Sequence, residues 1–208
     1  MLAPHFTAFY ERFPSVYLEL EIAQQILDFD AGHLDVAFRV SHKLPDSTLI
    51  AHKLTELEGL GVASPAYLRA QRPPKRPADL TKHRMVFLSA QSSRLFRFRR
   101  VDGTGPDIEL RPSPNIVASD MNFVKELAIA GAGIAFLPLV AIRRELEQGS
   151  LTAVLSPWVV GNVALYLLHG SRFLPPKVRV FRDFMLDALS VQGRRRGGSS
   201  TDGGLHML

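Results

Sequence analysis

The sequence predicts an α/β protein with a mainly parallel sheet flanked by helices. Three observations carry this. Short β-rich or continuously apolar runs alternate along the chain with segments of helical period. Glycine, proline and capping residues fall at the boundaries between them. No internal repeat interrupts the alternation, and 208 residues suffice for one large domain or two lobes with packed cores.

Leu2, Phe6, Phe9, Tyr10 and Phe13 fall near helical spacing, and Pro14 ends that helix. VYLELEI (16–22) alternates and is rich in β-formers, so it reads as a strand. AQQILDFDAG (23–32) suits a short helix stopped by Gly32, and LDVAFRV (34–40) a second strand. After a turn at Pro45, Asp46 and Ser47, residues 49–54 are extended and 57–64 form a further strand. Ser64 and Pro65 carry the cap and first-position signals of a helix over 64–70.

RPPKRP (72–77) is a rigid loop. Residues 85–89 and 94–101 read as strands, with a turn over 102–106 and an extended stretch over 108–119. Ser119 and Asp120 open a helix whose buried face is marked by Val124, Leu127, Ala128 and Gly131. GIAFLP (133–138) is a buried strand, 139–150 a helix ended by Gly149, 163–170 a strand, and 178–189 a final helix after Pro175 and Pro176. From Ser190 onward the chain is rich in glycine and serine with little to bury, and reads as a disordered tail.

The stretch VKELAIAGAGIAFLP (124–138) poses a question of chemistry. A dinucleotide loop runs strand, glycines, helix, so that phosphates meet a helix N-terminus. Here the helix comes first, and the third glycine of that fingerprint would fall on Phe136. Carbonyls point out of a helix C-terminus and repel an anion. Gly131 and Gly133 therefore stop a helix and permit close packing.

Other chemistries are excluded or weak. The chain has no cysteine, which removes disulfides, thiolate metal sites and a cysteine nucleophile. The seven histidines show no metal-ligand spacing, and neither a nucleophile elbow nor a Walker loop occurs. Asp28, Asp30 and Asp35 cluster, but read as solvated positions rather than an acid/base set. The net charge is +5; Arg194, Arg195 and Arg196 against Asp202 supply +2, leaving +3 on the body. That is too small a bias to argue a nucleic-acid surface. RLFRFRR (94–100) interleaves phenylalanine with arginine, as a single-strand platform does, yet the same period of two suits a half-buried strand. Trp158 beside Pro157 reads as packing between lobes rather than a cofactor box. No apolar run reaches the length of about 18 residues that a membrane span needs, and no signal peptide is evident.

Several stretches taken in order carry a family resemblance. They are LDVAFRVSHKLPDSTLIAHKL (34–54), LGVASPAYL (60–68), PADLTKH (77–83), SDMNFVKELAIAGAGIAFLP (119–138), GSLTAVLSPW (149–158) and RFLPPKVRVFRDFMLDAL (172–189). Over residues 1–190 the chain resembles the effector-binding domain of LysR-type transcriptional regulators, nearest the branch in which LPDSTL and ASPAYL occur. The resemblance implies a two-lobed fold of the type II periplasmic-binding-protein kind. Lobe I spans 1–60 plus 164–190 and lobe II spans 61–163, with crossover strands near 57–63 and 160–166 and a disordered tail over 191–208.

Because no catalytic constellation stands in these residues, no enzymatic activity is expected, and no cofactor or metal. The resemblance implies that a small effector binds in the cleft between lobes. By position, the implied effector-binding residues are Ala23, Gln24, Arg39, Val40 and Ser41 from lobe I. From lobe II they are Ser89, Asp120, Met121, Asn122, Gly133 and Ile134. Arg39 suits a bidentate carboxylate pair, the alternative being a salt bridge, and the amides at 120–122 offer a helix N-terminus to an anion. Asp120 also suits the cap of its helix. Family members are cytoplasmic, self-associate, and bind promoter DNA through a winged helix-turn-helix.

The match begins inside the first helix of that domain, so a helix-turn-helix, a linker helix and the family's first strand have no counterpart here. The expectation is a truncated reading frame with Met1 internal to a longer protein. Two further readings stand beside it. A free-standing solute-binding or sensor module predicts saturable ligand binding by the purified chain. A dominant-negative partner predicts co-purification with a full-length relative.

Overall fold

A computed structural model describes residues 2–22, 34–41, 44, 47–91, 95–170 and 173–197, with backbone only for 90, 161–162 and 190–197. In chain order the elements are α1 (Ala3–Arg12), β1 (Ala37–Ser41), β2 (Ile50–Ala63), α2 (Pro65–Ala70), β3 (Met85–Leu88), β4 (Phe96–Arg100), β5 (Ile108–Leu110), β6 (Ile116–Ala118), α3 (Met121–Ile129), β7 (Ile134–Pro138), α4 (Leu139–Glu147), β8 (Thr152–Val154), β9 (Trp158–His169) and α5 (Pro176–Gly197). Short 3-10 turns occupy Pro77–Lys82 and Ser89–Gln91. The chain divides into two compact units, Met1–Glu56 with Ala164–Leu208, and Leu57–Val163. The two long strands β2 and β9 carry the chain from one unit to the other.

The first unit is organised by phenylalanines. Proline in its first turn opens α1, and the amide of Phe13 closes it on the Phe9 carbonyl. Phe6 stacks on Phe181 of α5 with centroids 5.8 Å apart, and Phe9 meets Phe181 edge-on at 4.9 Å and Phe184 at 5.3 Å. Phe38 of β1 joins them at 5.7 Å from Phe6. Each such pair adds about 0.5–1.5 kcal/mol beyond area burial. β1 runs antiparallel to β9, with Arg39 opposite Tyr166 and Ser41 opposite Ala164.

The second unit is a sheet in the order β5-β4-β9-β2-β7-β3-β6, with β8 pairing β2. Alternation along the strands sends residues to opposite faces. Ala63, Met85, Phe87, Ile134 and Phe136 meet Tyr67, Leu80, Phe96 and Phe98 in one core. Val62, Val86, Ala135 and Leu137 meet Val124 and Ala128 of α3 and Ile142 of α4 in the other. Ser64 caps α2 by accepting from the Tyr67 amide at 3.2 Å. Gly131 takes φ +83 just past α3, the left-handed turn expected of a helix stop.

The α/β class holds, but the sheet is mixed rather than mainly parallel. β3 runs parallel to β6 and β7, whereas β7 and β8 are antiparallel to β2, and β5 and β9 are antiparallel to β4. The reason is the connections. The short turn after Arg100 makes β4 and β5 a hairpin, which only antiparallel strands can form. The two runs read over 49–54 and 57–64 are one strand, β2, because no turn residue separates them.

Residues 16–22 form no strand, and Tyr17 and Ile22 are 81% and 99% exposed. Strand propensity is realised only against a ladder neighbour, and this segment has none among the described residues. The stretch read as a tail from 191 begins as helix, since α5 continues to Gly197. Arginine is a good helix former, and Arg194, Arg195 and Arg196 prolong a helix already nucleated by packing. The short helix read over 23–32, with Asp28 and Asp30, lies outside the described residues.

Candidate functional site

The second unit gathers its helix starts at one end of the sheet. β3, β6 and β7 run in the same direction, with Leu88 beside Ala118 and Met85 beside Ile134. α3 follows β6 and α4 follows β7 without delay, so both helices begin at the carboxyl ends of these strands. That end of an α/β sheet is where ligands meet helix amides and their partial positive charge.

Ser89, Asp120, Met121 and Asn122 are brought to this end. Ser89 directly follows β3 in the turn Ser89–Gln91. Asp120 is the N-cap of α3, its carboxylate accepting from the Phe123 amide at 2.8 Å. Met121 and Asn122 form the exposed first turn. Gly133 and Ile134 are not brought there. They open β7 at the opposite, amino end of the strands, beside Met85. The Ile134 side chain is wholly in the core, and its amide donates to the Arg84 carbonyl at 2.8 Å. A glycine-rich turn reads alike in sequence whichever end of the sheet it occupies; strand pairing decides the end.

In the first unit, Arg39, Val40 and Ser41 lie on β1. Arg39 is half-buried, Val40 half-exposed and Ser41 buried. Ala23 and Gln24 lie outside the described residues.

Two features of the second unit escaped sequence reasoning. Gln91 accepts from the Leu88 amide at 3.1 Å and donates to the Phe136 carbonyl at 3.0 Å, so it ties the end of β3 to β7. Its partner in β7 is 45 residues away, and no local pattern marks it. The start of α4 is the other. Its N-cap is Pro138, with no side-chain cap on the first amides. The LP pair at 137–138 was legible as a strand end, but not that it opens toward Ser89 and Asp120.

Electrostatics favour an anion at this end only in part. The helix amides attract one, while the Asp120 carboxylate already occupies the α3 terminus. Behind it, Lys125 of α3 is committed to Glu145 of α4 at 2.7 Å, and this bond holds the Glu145 carboxyl below its usual range. The alternating arginines of β4 face out while Phe96 and Phe98 are buried, so no aromatic stacking platform is offered there. Arg97 instead pairs with Glu109 across the hairpin at 2.7 Å. Trp158 packs on the core of the second unit with the Arg100 guanidinium 5.7 Å from its ring. Among the described residues no group of three or more metal-ligating side chains occurs. None of the described helices is long and apolar enough to cross a membrane.

The chain is thus an α/β protein of two units joined by two long strands, with helix starts gathered beyond parallel strand ends in the second unit. The model of the LysR substrate binding domain matches residues 1–190, and the chain belongs to that family. An HTH-type transcriptional regulator of Xanthomonas campestris is 30% identical over 195 residues, which cover 91% of this chain and 56% of the relative. The regulator PtxR of Pseudomonas aeruginosa is 29% identical, with 88% and 58% covered. The chain thus spans less than two thirds of the length of these relatives. The full-length virulence activator AphB of Vibrio cholerae superposes with a TM-score of 0.75 at 33% identity, over 91% of this chain and 64% of AphB. The regulatory domain of AphB from Vibrio vulnificus does so with 0.70 at 28% identity, over 90% and 92%. The fold is therefore that of LysR regulatory domains, and the family is one of transcription regulation rather than catalysis.

Proposed function

We propose that this effector-binding domain senses a small anionic metabolite, with the amides of Met121 and Asn122 as the polar cradle in the second unit; in the first unit, Arg39 is the candidate charged anchor. The observation that carries the reading is the convergence of the α3 and α4 N-termini beyond β3, β6 and β7. Arg39 supplies a planar fork that matches a carboxylate. In the second unit Ser89 adds a hydroxyl; in the first, Ser41 adds a hydroxyl and Val40 an apolar wall. Ala23 and Gln24 complete the set that the family resemblance implies. Gly133 and Ile134 act by holding the sheet rather than by touching the effector.

We infer that in a regulator built on this domain the effector signal passes to promoter DNA through a helix-turn-helix; the relatives are named HTH-type transcriptional regulators. Self-association through this domain, in the cytoplasm, belongs to the same reading. Isothermal titration of the chain with acetate, succinate and benzoate, and with glucose as a neutral control, tests it. Saturable binding of a carboxylate, weakened at least about tenfold by Arg39→Ala, is expected for a charge-assisted pair. Equal affinity in wild type and Arg39→Ala ends the role of Arg39. A preference for glucose over every carboxylate ends the anionic reading.

A further inference from the structure

We propose that His52 and His169 form a proton-sensitive latch in the first unit, which holds β2 and β9 together beside α5 and loosens on acidification. The Nε2 atoms of the two rings lie 3.0 Å apart, and the rings stack with centroids separated by 5.1 Å and planes 26° apart. Such a contact needs one N–H donor and one bare lone pair. It therefore tolerates one proton between the facing nitrogens. With both rings cationic, two donors and two like charges face each other, and His169 is only 1% exposed.

The surroundings of His52 resist a charge on its ring. Burial is the main influence and lowers the His52 pKa from its ordinary 6.5. Arg182 of α5 lowers it further, and Asp183 beside it raises it by less. Those two side chains pair with each other at 2.7 Å, so the acidic one is partly spent. On β2 the next residue, Lys53, is paired with Glu56 at 2.6 Å, and Tyr166 of β9 acts on Lys53. Adjacent strand residues point to opposite faces, so this group lies on the other side of the sheet from His52.

The direction of the effect follows from linkage. A histidine whose pKa is lowered by folding adds stability that is fully present above 6.5. That stability is lost as pH falls below 6.5 toward the folded value. Acidification thus strains the end of β9 just before α5. His83 of the second unit is also lowered by burial, so the total pH slope of the chain is not the readout. The difference between variants is.

The experiment is urea denaturation of the full chain from pH 7.5 to 5.0, wild type against His52→Gln, with an NMR titration of the imidazole Cε1–H signals of the wild type. Glutamine keeps a hydrogen-bonding group and removes the titration. The wild-type folding constant is expected to fall more steeply than that of His52→Gln, by up to about tenfold per pH unit for one linked proton. The His52 signal is expected to titrate below pH 6.5, and the His169 signal to report the same event. Identical slopes in the two proteins, or two independent titrations near the ordinary value, overturn the latch. If His52→Gln does not fold, the NMR titration of the wild type alone decides between these outcomes.

Discussion

A β-carbon on Gly133 would fall inside van der Waals contact of the Arg84 carbonyl oxygen, and 3.0 Å from the Arg84 β-carbon. The same carbonyl accepts from the Ile134 amide at 2.8 Å. Gly133 is therefore a site of close backbone approach, which sets where β7 enters the sheet beside β3. Gly133→Ala is expected to destabilise the second unit by about 1–3 kcal/mol, as overpacking against backbone does. Gly131→Ala acts differently. It meets only the Ser64 hydroxyl at 3.4 Å, but must adopt φ +83, at a cost of about 1–2 kcal/mol. Urea midpoints of both variants measure this. A Gly133→Ala protein as stable as wild type sinks the close-approach reading.

Asp120 separates capping from ligand binding. Asp120→Ala removes the acceptor for the Phe123 amide and is expected to cost about 1 kcal/mol, while Asp120→Asn keeps most of the cap. If an anion meets the α3 amides, Asp120→Asn binds it more tightly than wild type, because a like charge has gone from the helix terminus. Calorimetry with the carboxylate that wild type binds gives the sign. Weaker binding by Asp120→Asn places the anion elsewhere.

Phe98 and Arg99 are neighbours with opposite fates. Phe98 is wholly buried against Phe136 at 5.6 Å, and Arg99 faces out. Phe98→Ala is expected to cost about 3–5 kcal/mol, and Arg99→Ala under about 0.5 kcal/mol. Neither change should alter the affinity for a single-stranded oligonucleotide, measured by fluorescence anisotropy. A large loss of such affinity in Arg99→Ala would revive the nucleic-acid reading of 94–100.

Lys125 and Glu145 join α3 to α4 through a pair that is mostly shielded from water. Its hydrogen bond from Lys125 lowers the Glu145 pKa below the ordinary 4.5. A carboxyl lowered by folding contributes stability above 4.5, lost as pH falls below that value. Lys125→Met is expected to cost up to about 1 kcal/mol near neutral pH, and less as the pH falls below 4.5 and the carboxyl takes up its proton. A cost that stays unchanged down to the acid unfolding of the protein assigns the effect to packing of the lysine stem instead.

Local chemistry was legible in the sequence. Ser64 with Pro65, Asp120, Gly131 and the alternation of Phe96 and Phe98 each report a cap, a turn or a face within a few residues, and each has the place its neighbours imply. The family was legible too, because six short stretches occur in one order. What the tertiary structure alone decided is pairing. Whether 16–22 is a strand depends on a ladder partner, not on its own alternation. Whether Gly133 faces the same end of the sheet as Asp120 depends on the direction of β7 beside β3. His52 and His169 are 117 residues apart, and Gln91 and Phe136 are 45 apart. A periodicity specifies a side chain's face but not what lies across from it, since that neighbour is set by how distant strands align.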